Sequence, residues 1–315
     1  MTRRLTVLIL ISFACLPGCG FLEVFILRPS SEINSTPADF GFAADKMRLA
    51  LPDGGEISIW HVRTTEEKKG ILIVVPGNDA NKSRYTTGLP LFVDDGWDLI
   101  LMDYQGFGES SGTATFDGLI ASTRVVMEYA LSQDEVVVGY GVSLGTSVLA
   151  RVAADFDLTA CIFESTTDIW AEASLFLSHH LFASPVWLPL DAIAALGSTE
   201  DFDLKRWITQ VEEPKLFIHA PGDNITPFAG AWEVFQLAPQ PKHMFVTQGD
   251  HALQLFLDPV LYRTVVNGWL NGVLQNDPIL NEQFQQFLEE QVQASLEGLG
   301  FARGKAPDVF FVSSP

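Results

Sequence analysis

Val136-Val137-Val138-Gly139-Tyr140-Gly141-Val142-Ser143-Leu144-Gly145 is the stretch whose reading decides the fold of this chain. Its first half is a short apolar run that reads as a buried strand, and the residues after Gly145 continue as an amphipathic helix through Arg151 to Ala154. Between them lies a G-x-S-x-G pattern, common by chance alone but specific when a strand enters it and a helix leaves it. Glycines two residues either side of Ser143 let strand and helix approach without β-carbon clashes. The turn can then be sharp enough to lift the serine hydroxyl above the carboxyl edge of a sheet. The backbone N–H of Leu144 would lie at the helix start, where it can meet a developing negative charge.

Further short apolar runs recur outward from this stretch, at Ile71–Val75, Asp98–Met102, Ala160–Phe163, Lys215–His219 and Met244–Val246. Helical patterns fall between or after them, at Thr115–Ser132 and Asp258–Leu274. Buried strands alternating with helices predict an α/β fold: a mostly parallel sheet covered on both faces. Ahead of the series, Lys46–Leu51 and Glu56–Val62 flank Pro52-Asp53-Gly54-Gly55, which predicts an antiparallel hairpin. About fifty residues separate Glu164 from Lys215, too many for a featureless loop in a compact domain. Their load of Trp170, Phe176, Leu177, Phe182, Trp187 and Leu188 predicts a small helical lid within an insertion over 166–213.

A serine hydroxyl is a weak nucleophile that needs a base within hydrogen-bond reach and a carboxylate to orient that base. In a strand-turn-helix serine fold the chain order is serine, acid, histidine. His251, in the loop Gln248-Gly249-Asp250-His251 after the last strand, is the candidate base; His219 lies within a strand run and His61 in the hairpin, where structural roles are expected. Asp223, in Ala220-Pro221-Gly222-Asp223 after the strand Lys215–His219, is the candidate acid. Asp250 is its rival, but adjacent side chains on extended backbone point apart. Glu164 is a weaker rival, expected to line the pocket or meet the lid. The loop Pro76-Gly77-Asn78-Asp79 should supply the backbone N–H of Asn78 as a second oxyanion donor beside that of Leu144. His179-His180 has no Asp, Glu or Cys at ligand spacing, so neither a metal nor any other cofactor is expected. Asp103–Gly112 is rich in glycine but lacks the lysine of a phosphate-binding loop, so its glycines are expected to be structural.

The termini carry a different kind of signal. Arg3-Arg4, the apolar run Leu5–Leu16 and then Pro17-Gly18-Cys19 read as an export signal over residues 1–18. A helix of that run would rise about 18 Å, short of the roughly 30 Å hydrocarbon core. Leu16-Pro17-Gly18-Cys19 also resembles a bacterial lipobox, which implies cleavage before Cys19, its lipidation, and a membrane-anchored protein of the cell envelope facing away from the cytoplasm. An uncleaved anchor is the alternative, because apolar residues resume at Phe21. On cleavage Cys15 would leave with the signal and Cys19 would carry lipid, so only Cys161 would remain as a thiol and no intrachain disulfide is expected. Arg28–Ala38 is polar with two prolines and reads as a spacer completing residues 19–39. The folded domain is expected over 40–276, and 277–315 as a tail. Leu280, Phe284, Phe287, Leu288, Val292 and Leu296 in that tail recur at helical spacing, opposite acids and no base, which suits contact with a protein surface rather than anionic lipid.

Composition limits what such a molecule can bind. Of 315 residues 47% are hydrophobic and 18% charged, enough for a substantial core. Its 39 acidic against 19 basic residues give a net charge of -20, which repels phosphate backbones and argues against nucleic-acid partners.

Together these segments resemble the α/β-hydrolase family over roughly Thr36 to Leu274, most closely its branch of small membrane-associated hydrolases related to protein depalmitoylases. The Asp-x-x-Gly-x-Gly-x-Ser-x-Gly segment of that family is matched from Asp103 to Gly112. Ile218, His219 and Asp223 match its Ile-His-Gly-x-x-Asp segment, with Ala220 in place of glycine, and Gly249 and His251 match its final Gly-x-His. Pro76 stands where the family usually has histidine, so the contacts of that histidine are absent here. The resemblance implies a serine hydrolase of esters or thioesters, acting through an acyl-enzyme on a small-molecule or lipid-like acyl substrate. Amide or peptide hydrolysis is the nearest rival, and a catalytically silent, membrane-tethered binding scaffold the rival from another class.

Overall fold

Alternating apolar side chains build the centre of the molecule. In a computed structural model that describes residues 23, 27–167, 202–252 and 254–275, eight strands form one sheet in the order β1-β2-β4-β3-β5-β6-β7-β8. The strands are β1 (Ala44–Ala50), β2 (Glu56–Val62), β3 (Gly70–Val75), β4 (Trp97–Met102), β5 (Val137–Val142), β6 (Ala160–Glu164), β7 (Lys215–His219) and β8 (Lys242–Val246). The pairs β1/β2 and β2/β4 are antiparallel and all others parallel. The expected hairpin is β1 and β2, its turn closed by Asp53 Oδ1 accepting from the Gly55 N–H at 2.9 Å.

Each buried strand sends successive residues to opposite faces, so each face carries its own core. Ile71, Ile73 and Val75 join one cluster with α2 (Phe116–Gln133), α3 (Leu144–Ala153), α4 (Leu204–Ile208) and α5 (Phe228–Leu237). Leu72 and Val74 join the other, with α1 (Leu89–Phe92) and α7 (Pro259–Gln275). A short α6 (Gln254–Leu257) precedes α7, and a 3-10 helix (Lys82–Gly88) precedes α1. Thr115 ends the loop before α2 by accepting the Gly118 N–H on its hydroxyl, the local reason that helix begins where the sequence predicts.

Two readings of the sequence meet a different arrangement. Arg28–Ala38, expected to be a spacer, lies on the domain: Asn81 Nδ2 donates to Ser30 O and Glu32 O, and Ser83 Oγ accepts from Asn34 N–H. Polar composition signals contact with water, but loop backbones offer the same hydrogen bonds and here take them. The last part of the expected insertion belongs to the core, where Phe202, Leu204, Ile208 and Val211 are buried and the Phe202 ring lies 4.5 Å from that of Phe116. The rest of the expected lid with His179-His180, the export signal with Cys19, and the C-terminal helix lie outside the described residues. Among the described residues no helix is long and apolar enough to cross a membrane.

Candidate active site

Ser143 occupies the single-residue corner between β5 and α3. Its φ of 54° and ψ of -122° are left-handed values that a residue bearing a β-carbon adopts only when its surroundings hold it there. The flanking glycines explain how: a β-carbon at 141 would stand 2.6 Å from the Gly145 carbonyl oxygen, and one at 145 would drive into the carbonyl of Val75. The corner is tied down by Ser143 N–H donating to Glu164 O at 2.9 Å and by Thr146 N–H donating back to Ser143 O at 2.8 Å.

Three sequence-predicted residues meet here. His251 Nε2 lies 2.8 Å from Ser143 Oγ, and His251 Nδ1 lies 2.8 Å from Asp223 Oδ2. An ionised carboxylate only accepts, so Nδ1 carries the proton and Nε2 is left with a lone pair facing the hydroxyl. Asp223 is built to remain ionised. Burial is the largest influence and pushes its carboxyl up, but hydrogen bonds from His251, the Thr226 N–H and the Thr226 hydroxyl outweigh burial and hold it at about 2. The acid loop is pinned in turn by His219, whose Nε2 lies 2.8 Å from Thr226 O; burial pushes that imidazole below its ordinary range, so it stays neutral and donates.

The rival acids have other partners. Asp250 accepts from the Asn224 N–H and side-chain amide and from the His251 N–H, joining the acid and histidine loops. Glu164, expected at the pocket lining or the lid, is instead buried against α7. Its Oε2 accepts from Tyr262 Oη at 2.6 Å and lies within hydrogen-bond reach of Tyr140 Oη, which also sits beside Tyr262 Oη. Burial raises its carboxyl to about 7, opposed by the Tyr262 bond and by the charge His251 bears when protonated. No sequence signal joins β5, β6 and α7 in this way, because the three residues lie up to 122 positions apart.

The loop expected to supply the second oxyanion donor lies against the nucleophile, since a β-carbon on Gly77 would come within 3.3 Å of Ser143 Cβ. Tyrosines hold it where the family resemblance places histidine contacts: Tyr85 Oη accepts from Gly77 N–H at 2.7 Å, and Tyr104 Oη donates to Pro76 O at 2.8 Å. The Leu144 N–H belongs to the first turn of α3, among the N–H groups that helix geometry leaves unpaired within the helix. Thr167 also approaches the serine, its Oγ1 3.4 Å from Ser143 Oγ, and Ser165 close by in sequence accepts the Ala252 N–H next to His251. Both follow β6 in a stretch whose sequence carries no motif.

A buried ion pair stiffens the neighbouring loops and escaped the sequence reading as well. Lys82, fully buried, bonds Asp103 directly and Ser58 Oγ at 3.0 Å, lies 2.8 Å from Glu109 Oε2, and places its ammonium 4.9 Å over the Trp60 ring. Asp103 also accepts the N–H groups of Lys82 and Glu109, and a β-carbon on Gly108 would collide with its carboxylate. The glycine-rich loop Asp103–Gly112 is therefore structural, as expected. Among the described residues no group of three or more His, Cys, Asp or Glu is arranged to hold a metal ion.

No protein-family model matches the chain. It is 27% identical over 254 residues to the uncharacterized protein YfhR of Salmonella typhimurium, covering 73% of this chain and 80% of that protein. It is 24% identical over 197 residues to the lysophosphatidylserine lipase ABHD12 of Macaca fascicularis, covering 58% of this chain and 49% of that one. Among solved structures it is similar to the Pyrococcus furiosus esterase Pf2001, with a TM-score of 0.63 at 16% identity over 78% of this chain and 96% of the esterase. It is likewise similar to the α/β hydrolase GrgF from a Penicillium species, with a TM-score of 0.56 at 18% identity over 74% of this chain and 98% of that one. These likenesses and the sheet order establish the α/β-hydrolase fold.

Proposed function

We propose that the protein is a serine hydrolase of carboxylic esters or thioesters that works through an acyl-enzyme. The observation that carries this reading is the unbroken chain Ser143 Oγ, His251 Nε2, His251 Nδ1, Asp223 Oδ2, with 2.8 Å at each contact between residues. His251 takes the hydroxyl proton as Ser143 Oγ bonds to the carbonyl carbon, and Asp223 stabilises the imidazolium. The N–H groups of Asn78 and Leu144 receive the oxyanion, a donor of this kind being worth about 3 to 4 kcal/mol. The imidazolium returns its proton to the leaving oxygen or sulfur as that bond breaks. His251 then deprotonates a water that attacks the acyl-enzyme, and Ser143 recovers its proton as the acid departs. The ground-state corner already holds the hydroxyl above the sheet, so no rearrangement of the serine is needed before attack.

Ile225 in the acid loop, and Phe256, Leu257 and Val260 just after His251, are exposed apolar residues close in sequence to the acid and base. Together with the esterase and lipase among the similar proteins, they favour an apolar, lipid-like acyl substrate. The Leu16–Cys19 lipobox pattern supports anchoring of the chain to an envelope membrane through a lipidated Cys19, with the amphipathic pattern of 280–296 left for a protein contact. Loss of labelled fatty-acid incorporation in Cys19→Ala would bear that out.

The activity itself is tested by reacting the full chain with a fluorophosphonate probe and mapping the adduct. The expected result is a phosphonylated Ser143 and no label in Ser143→Ala. A folded wild type that takes no label, or takes it elsewhere, would defeat the reading. A panel of ester, thioester and amide substrates then separates esterase from amidase or peptidase action.

A further inference from the structure

The loop Pro76–Asp79 has an unusual support. Asp79 carries a left-handed φ of 47°, so the segment that presents the Asn78 N–H is strained and keeps its shape only if its neighbours over-determine it. Tyr85 and Tyr104 hold its first two residues. The third is held in part by a segment upstream of β1: Asn78 Oδ1 accepts the Asp79 N–H at 3.2 Å and the Arg28 N–H at 2.9 Å, from a residue fifty positions upstream. That upstream segment is itself fixed at several points. Leu27 is buried in the core, Ser30 O accepts from Gly108 N–H at 2.8 Å and from Asn81 Nδ2, Glu32 O accepts from Asn81 Nδ2 at 2.7 Å, and Asn34 N–H and Ser35 Oγ bond Ser83. It thus crosses the loops following β3 and β4 and ends on the side chain of Asn78.

We infer that residues 27–35 are a strap that positions the oxyanion loop, with the Arg28 N–H setting the Asn78 side chain and through it the direction of the Asn78 N–H. This rests on the serine-hydrolase reading above and adds to it a part that lies outside the expected catalytic domain. One carboxamide oxygen receiving two backbone donors leaves that side chain little freedom, and the N–H on the same residue inherits the restriction. Oxyanion donors act by being in place before charge develops, so a loosened loop costs rate at saturating substrate more than it costs binding. Arg28 and its fellow strap residues are positioning residues and touch no substrate.

Arg28→Pro deletes the donor. In the full-length protein, hydrolysis of p-nitrophenyl butyrate by this variant should show kcat down about 10-fold with KM changed by less than about 3-fold, and the rate of fluorophosphonate labelling of Ser143 down in parallel. The conservative Arg28→Ala removes an exposed side chain, keeps the backbone N–H and should restore the wild-type kcat. Asn81→Asp retains the Oδ1 that caps the 3-10 helix but loses the donor to Ser30 and Glu32, so it should lower kcat in the same direction and decides the matter if Arg28→Pro does not fold. Wild-type kcat in folded Arg28→Pro or in Asn81→Asp overturns the strap. A kcat loss equal in Arg28→Ala and Arg28→Pro overturns it too, since the cause would then be the side chain. A wild type without label on Ser143 refutes the hydrolase reading instead, and is recognised before any variant is compared.

Discussion

Glu164 allows a quantitative test of the packing beneath the site. Its carboxyl is buried between β5, β6 and α7, bonded by Tyr140 and Tyr262, and raised from 4.5 to about 7 chiefly by burial. Between those values the folded protein holds a proton that the unfolded chain has released, so the unfolded state binds fewer protons and stability falls as pH rises. The contribution is fully present below about pH 4.5, declines through the window, and is lost above about pH 7. A shift of this size corresponds to about 3 kcal/mol at about 1.4 kcal/mol per pKa unit. Glu164→Gln is neutral at every pH and keeps a carbonyl oxygen for the phenols. Urea unfolding of wild type and variant at about pH 4.5, 6 and 8 isolates the effect, because other titrating groups are shared and cancel in the difference. The variant should gain about 3 kcal/mol on the wild type from the lowest to the highest pH. Two parallel stability curves would refute the reasoning, since Glu164 would then have the same charge in both states across the range.

The remaining expectations concern the triad and the buried pair. Asp223→Asn keeps the shape of the acid but lets the imidazole adopt the wrong tautomer, so kcat on a soluble ester should fall about 10⁴-fold with little change in KM. Undiminished turnover would transfer the orienting role to another group. Lys82→Met leaves the Asp103 carboxylate buried without its ammonium and should cost about 3 to 5 kcal/mol in urea unfolding. A loss below about 1 kcal/mol would mean that the N–H groups of Lys82 and Glu109 suffice to hold that charge.

What could be read before any coordinates was local. Strand, corner and helix around Ser143 are adjacent in the chain, and the clash at Gly141 and Gly145 follows from where a β-carbon must stand. The alternation of apolar runs with helical patterns likewise states the layers. Asp223 could be preferred over Asp250 because neighbouring side chains diverge, a rule that needs no tertiary contact. Lys82, by contrast, sits in the polar run Asn81-Lys82-Ser83-Arg84 and looks solvent-exposed, and its burial depends on Asp103 from the loop after β4. Arg28–Ala38 carries the polar, proline-containing pattern of a linker, and only the loops it meets fix it on the domain.

The sequence by itself determined the strands of the sheet, the three helices Phe116–Gln133, Leu144–Ala153 and Pro259–Gln275, and the corner that holds Ser143, because each depends on backbone sterics or on periodicity within a few residues. Only the tertiary structure decided that Glu164 would share its proton environment with Tyr140 and Tyr262, that Lys82 would be buried on Asp103, and that Arg28 would hold Asn78. Those pairings join segments distant along the chain, and a buried polar group takes whichever partner folding brings within about 3 Å, a distance that sequence spacing does not encode.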